Sequence, residues 1–168
     1  QRTYQVMTVA EFQAKRIQRI AAALSHFIST TPEDRLSWEP DGLNGAKGRS
    51  IISMVSEIVV VNNVVAGRLS GELSGPPKPP TKAPQIEFSS AQDAQDQLVA
   101  SGEKLSNVVA NLTDENLETE YEHWAGMVRG EIWIEMAYRN MAYHAGQINY
   151  IQVLLGDDEF HVPPGNWR

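Results

Sequence analysis

Cysteine is absent from all 168 residues. That removes disulfides, thiolate metal sites and a cysteine nucleophile together. It also suits a reducing compartment, so the expected location is the cytoplasm. Nothing approaches the roughly 18 consecutive apolar residues that a membrane span needs. The apolar run Ile58–Val61, for example, ends at Asn62 and Asn63. No membrane association is expected, and no charged segment leads into an apolar stretch near Gln1 as a signal peptide would. Positive charge is scarce: Lys and Arg number 14 against 21 Asp and Glu, a formal net charge of −7. With no Lys/Arg cluster to neutralise phosphates, nucleic acid is not an expected partner. Neither a Gly-x-Ser-x-Gly nucleophile turn nor a glycine-rich phosphate loop occurs.

The residues that are present describe a globular chain, 42% hydrophobic and 21% charged. Its length suits one domain, 1–168, able to bury about two-thirds of the surface exposed by the unfolded chain. Thr8-Val9-Ala10-Glu11 reads as a capping box. Phe12, Ile17, Ile20, Leu24, Phe27 and Ile28 then recur at helical steps, which predicts a first helix over Val9–Ser29. Ser50 caps a second over Ile51–Leu69, whose apolar residues nearly encircle the axis, as in a central helix. Its valines make a buried strand the competing reading, but its length favours a helix.

Gly71 to Ser89 contains Gly75-Pro76-Pro77-Lys78-Pro79-Pro80 and Pro84, which cannot occupy a helix interior. At about 3.1 Å per residue such a segment can run past a whole helix, so the second and third helices can be parallel. A third helix is predicted over Ala91–Asn111 and a fourth over Gly130–Leu155, with Gly156 as its C′ residue. Short turns are expected at Thr31–Asp34 and Thr113–Asn116, and extended or irregular chain over Glu118–Arg129. The fold class expected is all-α: a four-helix bundle with a long Pro-rich crossover between helices 2 and 3.

The last helix carries the most informative pattern. Positions 133, 136, 140, 144, 147 and 151 share one stripe. Trp133, Met136 and Ile151 are apolar, but Asn140, His144 and Gln147 in the middle are polar. On an inward face they need partners. The second helix has the matching anomaly, Glu57, which stands inside the apolar run with Met54, Val61 and Val64 around it. A carboxylate there must pair with a cation, share a proton or bind a metal. Opposing Glu57 to His144 across the helices satisfies both. Carboxylate with imidazole suits Zn, Ni, Fe or Mn; equally, Glu57 hydrogen-bonded to His144 or Asn140 serves as structural glue.

Leu36-Ser37-Trp38-Glu39-Pro40, Arg49-Ser50-Ile51-Ile52, and Tyr143-His144-Ala145-Gly146-Gln147-Ile148 leading to Leu154-Leu155-Gly156 resemble the DinB/YfiT-like superfamily. The resemblance covers nearly the whole chain and is most specific in the last motif. It implies a four-helix bundle with a crossover between the second and third helices. Many members hold a divalent metal with three histidines, at positions that correspond here to Glu57, Asn140 and His144. Only His144 matches in type; Glu57 is an acceptable substitute and Asn140 a poor one, so the implied site is degenerate. The resemblance further implies metal-dependent chemistry of a thiol transferase or hydrolase type on a small-molecule substrate or thiol. The alternative is a metal-free bundle that binds a small molecule or forms a homodimer, with Glu57, Asn140, His144 and Gln147 as a buried polar network. Trp133 and His161 are further pocket candidates, His161 only if the tail folds back over the site.

Overall fold

The computed structural model describes residues 6–79, 85–161 and 163. Pro80 to Pro84, in the middle of the Pro-rich segment, lie outside the described residues, as do most residues of the C-terminal tail beyond His161. Among the described residues the chain is helical apart from one small hairpin. Its elements in order are α1 (Val9–Thr30), α2 (Ile51–Leu69), α3 (Ala91–Ala110), α4 (Asp114–Glu118), β1 (Glu120–His123), β2 (Gly126–Arg129) and α5 (Gly130–Leu154). Short 3-10 turns occupy Glu33–Arg35 and Leu43–Gly45.

The helices begin where the capping residues direct. At α1, Thr8 Oγ1 accepts from the Glu11 amide at 3.1 Å and Glu11 Oε2 accepts from the Thr8 amide at 2.8 Å. These two bonds satisfy amides that a helix start leaves without partners. Ser50 and Ser90 cap α2 and α3 through the amides of Ser53 and Asp93. At the other end of α5, Gly156 takes a φ of 93°. The Asp157 amide then reaches back to the Gln152 carbonyl at 3.0 Å, which closes the helix as a Schellman turn. In the stretch expected to be extended, β1 and β2 pair antiparallel, with Tyr121 opposite Val128.

The four long helices share one apolar core. α1 packs against α3 and α5, and α2 packs against the same two helices. Ile17, Leu24, Ile51, Ile58, Leu98, Leu105, Ile134 and Ile148 are wholly or nearly wholly removed from water. Each such side chain stabilises the fold by about 1.5–3 kcal/mol relative to exposure. α1 and α3 approach closely at Gly102, where an added Cβ would stand 2.7 Å from the Ala21 Cβ. Along α2, Ser56 Oγ accepts from the Ile86 amide at 2.5 Å and the Asn62 side-chain amide donates to Ser101 Oγ at 3.2 Å; just past its end, Glu72 pairs with Lys104 at 3.0 Å. At the far end of α5, the Gln152 amide donates to Phe27 O and to the hydroxyls of Thr30 and Thr31, at 3.0–3.2 Å. It thereby ties the end of α5 to the end of α1.

Two expectations need correction. Phe12 is half exposed; it lies off the inward face of α1, and the Arg16 guanidinium covers its ring at 5.8 Å. α2 is not buried on all sides either: Val60, Val61 and Val64 are only half-buried and Asn63 is exposed. By length and composition alone α2 could cross a membrane. Its inward residues Ile51, Val55, Ile58 and Val65 instead sit in the core, as in the central helix of a packed domain.

Gly102→Val should destabilise the protein by about 1–3 kcal/mol in urea denaturation, because both helices must move apart to admit the side chain. An unchanged midpoint would mean that the α1–α3 approach is looser than the Gly102–Ala21 distance indicates.

Candidate functional site

The seam between α2 and α5 gathers five polar side chains. Glu57 projects from the second turn of α2, and Asn140, His144 and Gln147 from successive turns of α5. Arg49 stands just before the Ser50 cap. Its NH1 donates to Glu57 Oε2 and its NH2 to the Ser53 carbonyl at 2.8 Å. Asn140 Nδ2 donates to Glu57 Oε1 at 2.8 Å, and His144 Nε2 faces the same oxygen at 3.3 Å. His144 Nδ1 meets Gln147 Oε1 at 2.7 Å. Amide and carboxylate oxygens only accept, so the ring makes both contacts as hydrogen bonds when both of its nitrogens carry hydrogen.

The Glu57 side chain is 18% exposed and that of His144 only 5%. Burial pushes the Glu57 carboxyl up, but hydrogen bonds from Arg49, Asn140 and His144, with the Arg49 charge, together hold it below the ordinary carboxylate value. The carboxylate form is therefore the one that the site is built around.

The structure thus brings together Glu57, Asn140, His144 and Gln147, and leaves the other two candidates elsewhere. Trp133 is buried against His123, ring centroids 5.2 Å apart, close to the hairpin. His161 pairs with Asp157 at 2.6 Å and stands edge-on to His26 at 6.3 Å, beside the C-terminal part of α1. Sequence reasoning missed Arg49. The signal was available: eight residues of helix rise only about 12 Å, within the combined reach of an arginine and a glutamate pointing at each other.

Beside the cluster lies an open groove of about 640 Å³, bordered by Lys47, Arg49, Tyr143, Gly146, Gln147 and Tyr150, with Met54 and Leu154 among its apolar walls. The cluster reaches this groove through Arg49 and Gln147, whereas Glu57 and His144 lie behind them. One rim is the loop from Pro40 to Gly48. Its backbone closes on itself, the Gly42 amide donating to Ala46 O and the Gly48 amide to Pro40 O, each at 2.7 Å.

The donor set does not fit the divalent metal that the superfamily resemblance implies. The one carboxylate is already neutralised by a guanidinium on its second oxygen. Asn140 presents its nitrogen to Glu57, and an amide nitrogen is no ligand. His144 is the single imidazole, and among the described residues no group of three or more His, Asp or Glu side chains is placed to hold an ion. Two ligands fall short of the three protein ligands usual even in open catalytic sites.

A mostly helical protein with a polar cluster on the seam of its second and last long helices is the class that these features define. The family model described as the DinB superfamily matches residues 16–148, and the chain belongs to that superfamily. No curated protein and no solved structure matches it.

The Glu57 interactions set a pH dependence. A carboxylate whose folded value is depressed contributes its stabilisation above the unfolded value, about 4.3, and loses it as pH falls through the folded value. Glu57→Gln should therefore destabilise by about 1–3 kcal/mol near neutrality. The gap to the unmodified protein should narrow as pH is lowered below about 4. Equal gaps at both pH values in chemical denaturation would show that the Glu57 charge is not what the cluster answers.

Proposed function

We propose that this protein is a metal-independent member of the superfamily that binds a small molecule in the groove beside Arg49 and Gln147. The observation that carries the reading is the closure of the polar cluster. Glu57 is neutralised by Arg49, and both ring nitrogens of His144 are engaged, one by Gln147 and one facing Glu57. A group with no free nitrogen is a poor general base, which must reach the proton that it removes. The cluster therefore serves as the rigid back wall of the groove, and the groove is where a ligand is met. Thiol-transferase or hydrolase chemistry through an ion would need Glu57 released from Arg49 and a further ligand supplied.

The same reading takes the whole chain as one four-helix bundle. Asn62 of α2 bonds Ser101 of α3; Ser56, earlier in α2, bonds Ile86 ahead of α3, and Glu72, just past α2, pairs with Lys104 later in α3, so the contacts advance in the same direction. They support a parallel pair, joined by the Pro-rich segment as a crossover.

Untagged protein purified without chelator should carry well below one transition-metal ion per chain by elemental analysis. Its melting temperature should not change on treatment with a chelator. Near-stoichiometric zinc, nickel, iron or manganese that Glu57→Gln lowers would overturn the metal-independent reading.

A further inference from the structure

α5 is apolar on two opposite sides. One side, with Ile134, Ala137, Met141, Ala145 and Ile148, is buried in the core. The other carries Ile132, Met136, Tyr143, Gly146, Tyr150 and Leu154, at steps of three, four and seven residues that keep them on one helical stripe. Ile132, Tyr143, Tyr150 and Leu154 are exposed, and Met136 is half-buried. Tyr143 stands edge-on to His144, ring centroids 5.9 Å apart, and still leaves 68% of its surface to water; Tyr150 leaves 65%. A helix packed on one layer shows a polar outer face. Two apolar faces suit a helix that lies between two layers, and the fold supplies only one of them.

The relief of the outer stripe is self-complementary about Gly146. A Cβ built there meets no atom within 4 Å, so a second helix can come close to the α5 backbone at this point. When the α5 of a second copy crosses antiparallel at Gly146, a residue before the glycine meets one as many places after it. Tyr150, four places after, then falls beside position 142, over a hollow of about 370 Å³ lined by Met136, Arg139, Asn140 and Tyr143. Tyr143, three places before, falls over the groove of about 640 Å³ beside Gly146 and Tyr150. Each projecting ring has a hollow facing it, and a two-fold axis makes each contact twice. Charge agrees with this register. Arg139 is exposed, and seven places before Gly146 it comes up to the last turn of the partner's α5. That turn has no basic residue of its own and is followed by Asp157-Asp158-Glu159. A cation there meets the negative end of the helix dipole.

We propose that the outer stripe of α5 is where a second copy of this chain docks, as a two-fold pair of antiparallel α5 helices crossing at Gly146. The partner's Tyr143 then covers each groove, and a site that is open in one copy is closed by two. The inference goes beyond the small-molecule reading and does not depend on it. From Ile132 to Leu154 the stripe is about 33 Å long and one helix diameter wide. That is at the small end of specific interfaces, so the pair forms reversibly.

Sedimentation equilibrium at rising protein concentration tests the association. The chain should pass from monomer to dimer in the micromolar range. Tyr150→Glu should hold it monomeric with its helix content and melting temperature kept, since that ring is exposed. Glu103→Gln, on the exposed face of α3, should leave the dimer unchanged. The absence of cysteine lets the crossing point be read directly. A residue on a two-fold axis faces its own copy. Gly146→Cys should therefore oxidise with diamide to a disulfide-linked dimer, while Glu103→Cys should stay monomeric under the same treatment. A monomer at every concentration would overturn the proposal. A dimer that Tyr150→Glu leaves intact would overturn it too, as would equal cross-linking of the two cysteine variants, because either result puts the seam elsewhere. A monomer that still bound a small molecule would overturn the dimer and leave the groove reading standing, so the two fail separately.

Discussion

Glu57 brings a carboxylate to a seam between helices where water reaches it only in part, and its charge has to be answered there. Arg49 answers with charge, Asn140 with an amide hydrogen, and His144 stands against the same oxygen as Asn140. Each partner comes from a different place in the chain: one before α2 and two from successive turns of α5. Satisfying one side chain therefore fixes the rotation of α2 about its axis and its height against α5. Apolar packing alone would tolerate small slips of one helix along another, because valine and isoleucine side chains offer near-equivalent alternatives. A hydrogen-bonded carboxylate does not, since a displaced partner leaves a half-buried group unpaired.

Arg49 has a second effect, through its position outside the helix. It precedes the Ser50 cap, so the loop leading into α2 is pulled onto the face of α2 as the ion pair forms. The NH2 bond to the Ser53 carbonyl reinforces that course. The groove wall and the start of α2 are thus organised by one side chain. On the metal-independent reading, a guanidinium supplies the cation of the cluster. It is charged at every physiological pH and cannot dissociate from the chain. An exchangeable ion would have made the order of this seam depend on supply.

The helices were legible in the sequence because their signals are local. Thr8 with Glu11, Ser50, Ser90 and Gly156 punctuate the chain within a turn of each boundary, and the extents expected for the second helix agree with α2 as found, Ile51–Leu69. The polar stripe of Asn140, His144 and Gln147 was legible for the same reason: its members are three or four residues apart. The proximity of Glu57 to that stripe followed from energetics, since a carboxylate and an imidazole on facing apolar surfaces each need a partner. Arg49 was not found, because a cation next to a loop is ordinarily solvated and nothing in periodicity distinguishes it. The depth of burial of Glu57 was overstated for a related reason. Val60, Val61 and Val64 look like core residues in a hydrophobic pattern, but the neighbouring helices cover them only in part. The fully buried Asn62, held by Ser101, is the converse case: it reads as the polar end of an apolar run, and it lies in the core.

The loop from Pro40 to Gly48 bears on how this protein changes over evolutionary time. Its two ends are latched by backbone bonds, at Gly42–Ala46 and Pro40–Gly48, so its conformation does not depend on what its tip packs against. Leu43, at the tip, is almost wholly exposed, and Asn44 takes the left-handed conformation that the turn requires. Residues at such a tip carry little of the fold's stability, and it is the ends of the loop, Pro40, Lys47 and Gly48, that border the groove. On the reading that the groove holds a ligand, selection for a different one can act on this loop while the α2–α5 seam stays as it is, which separates the part of the molecule that is free to diversify from the part that must be conserved to fold.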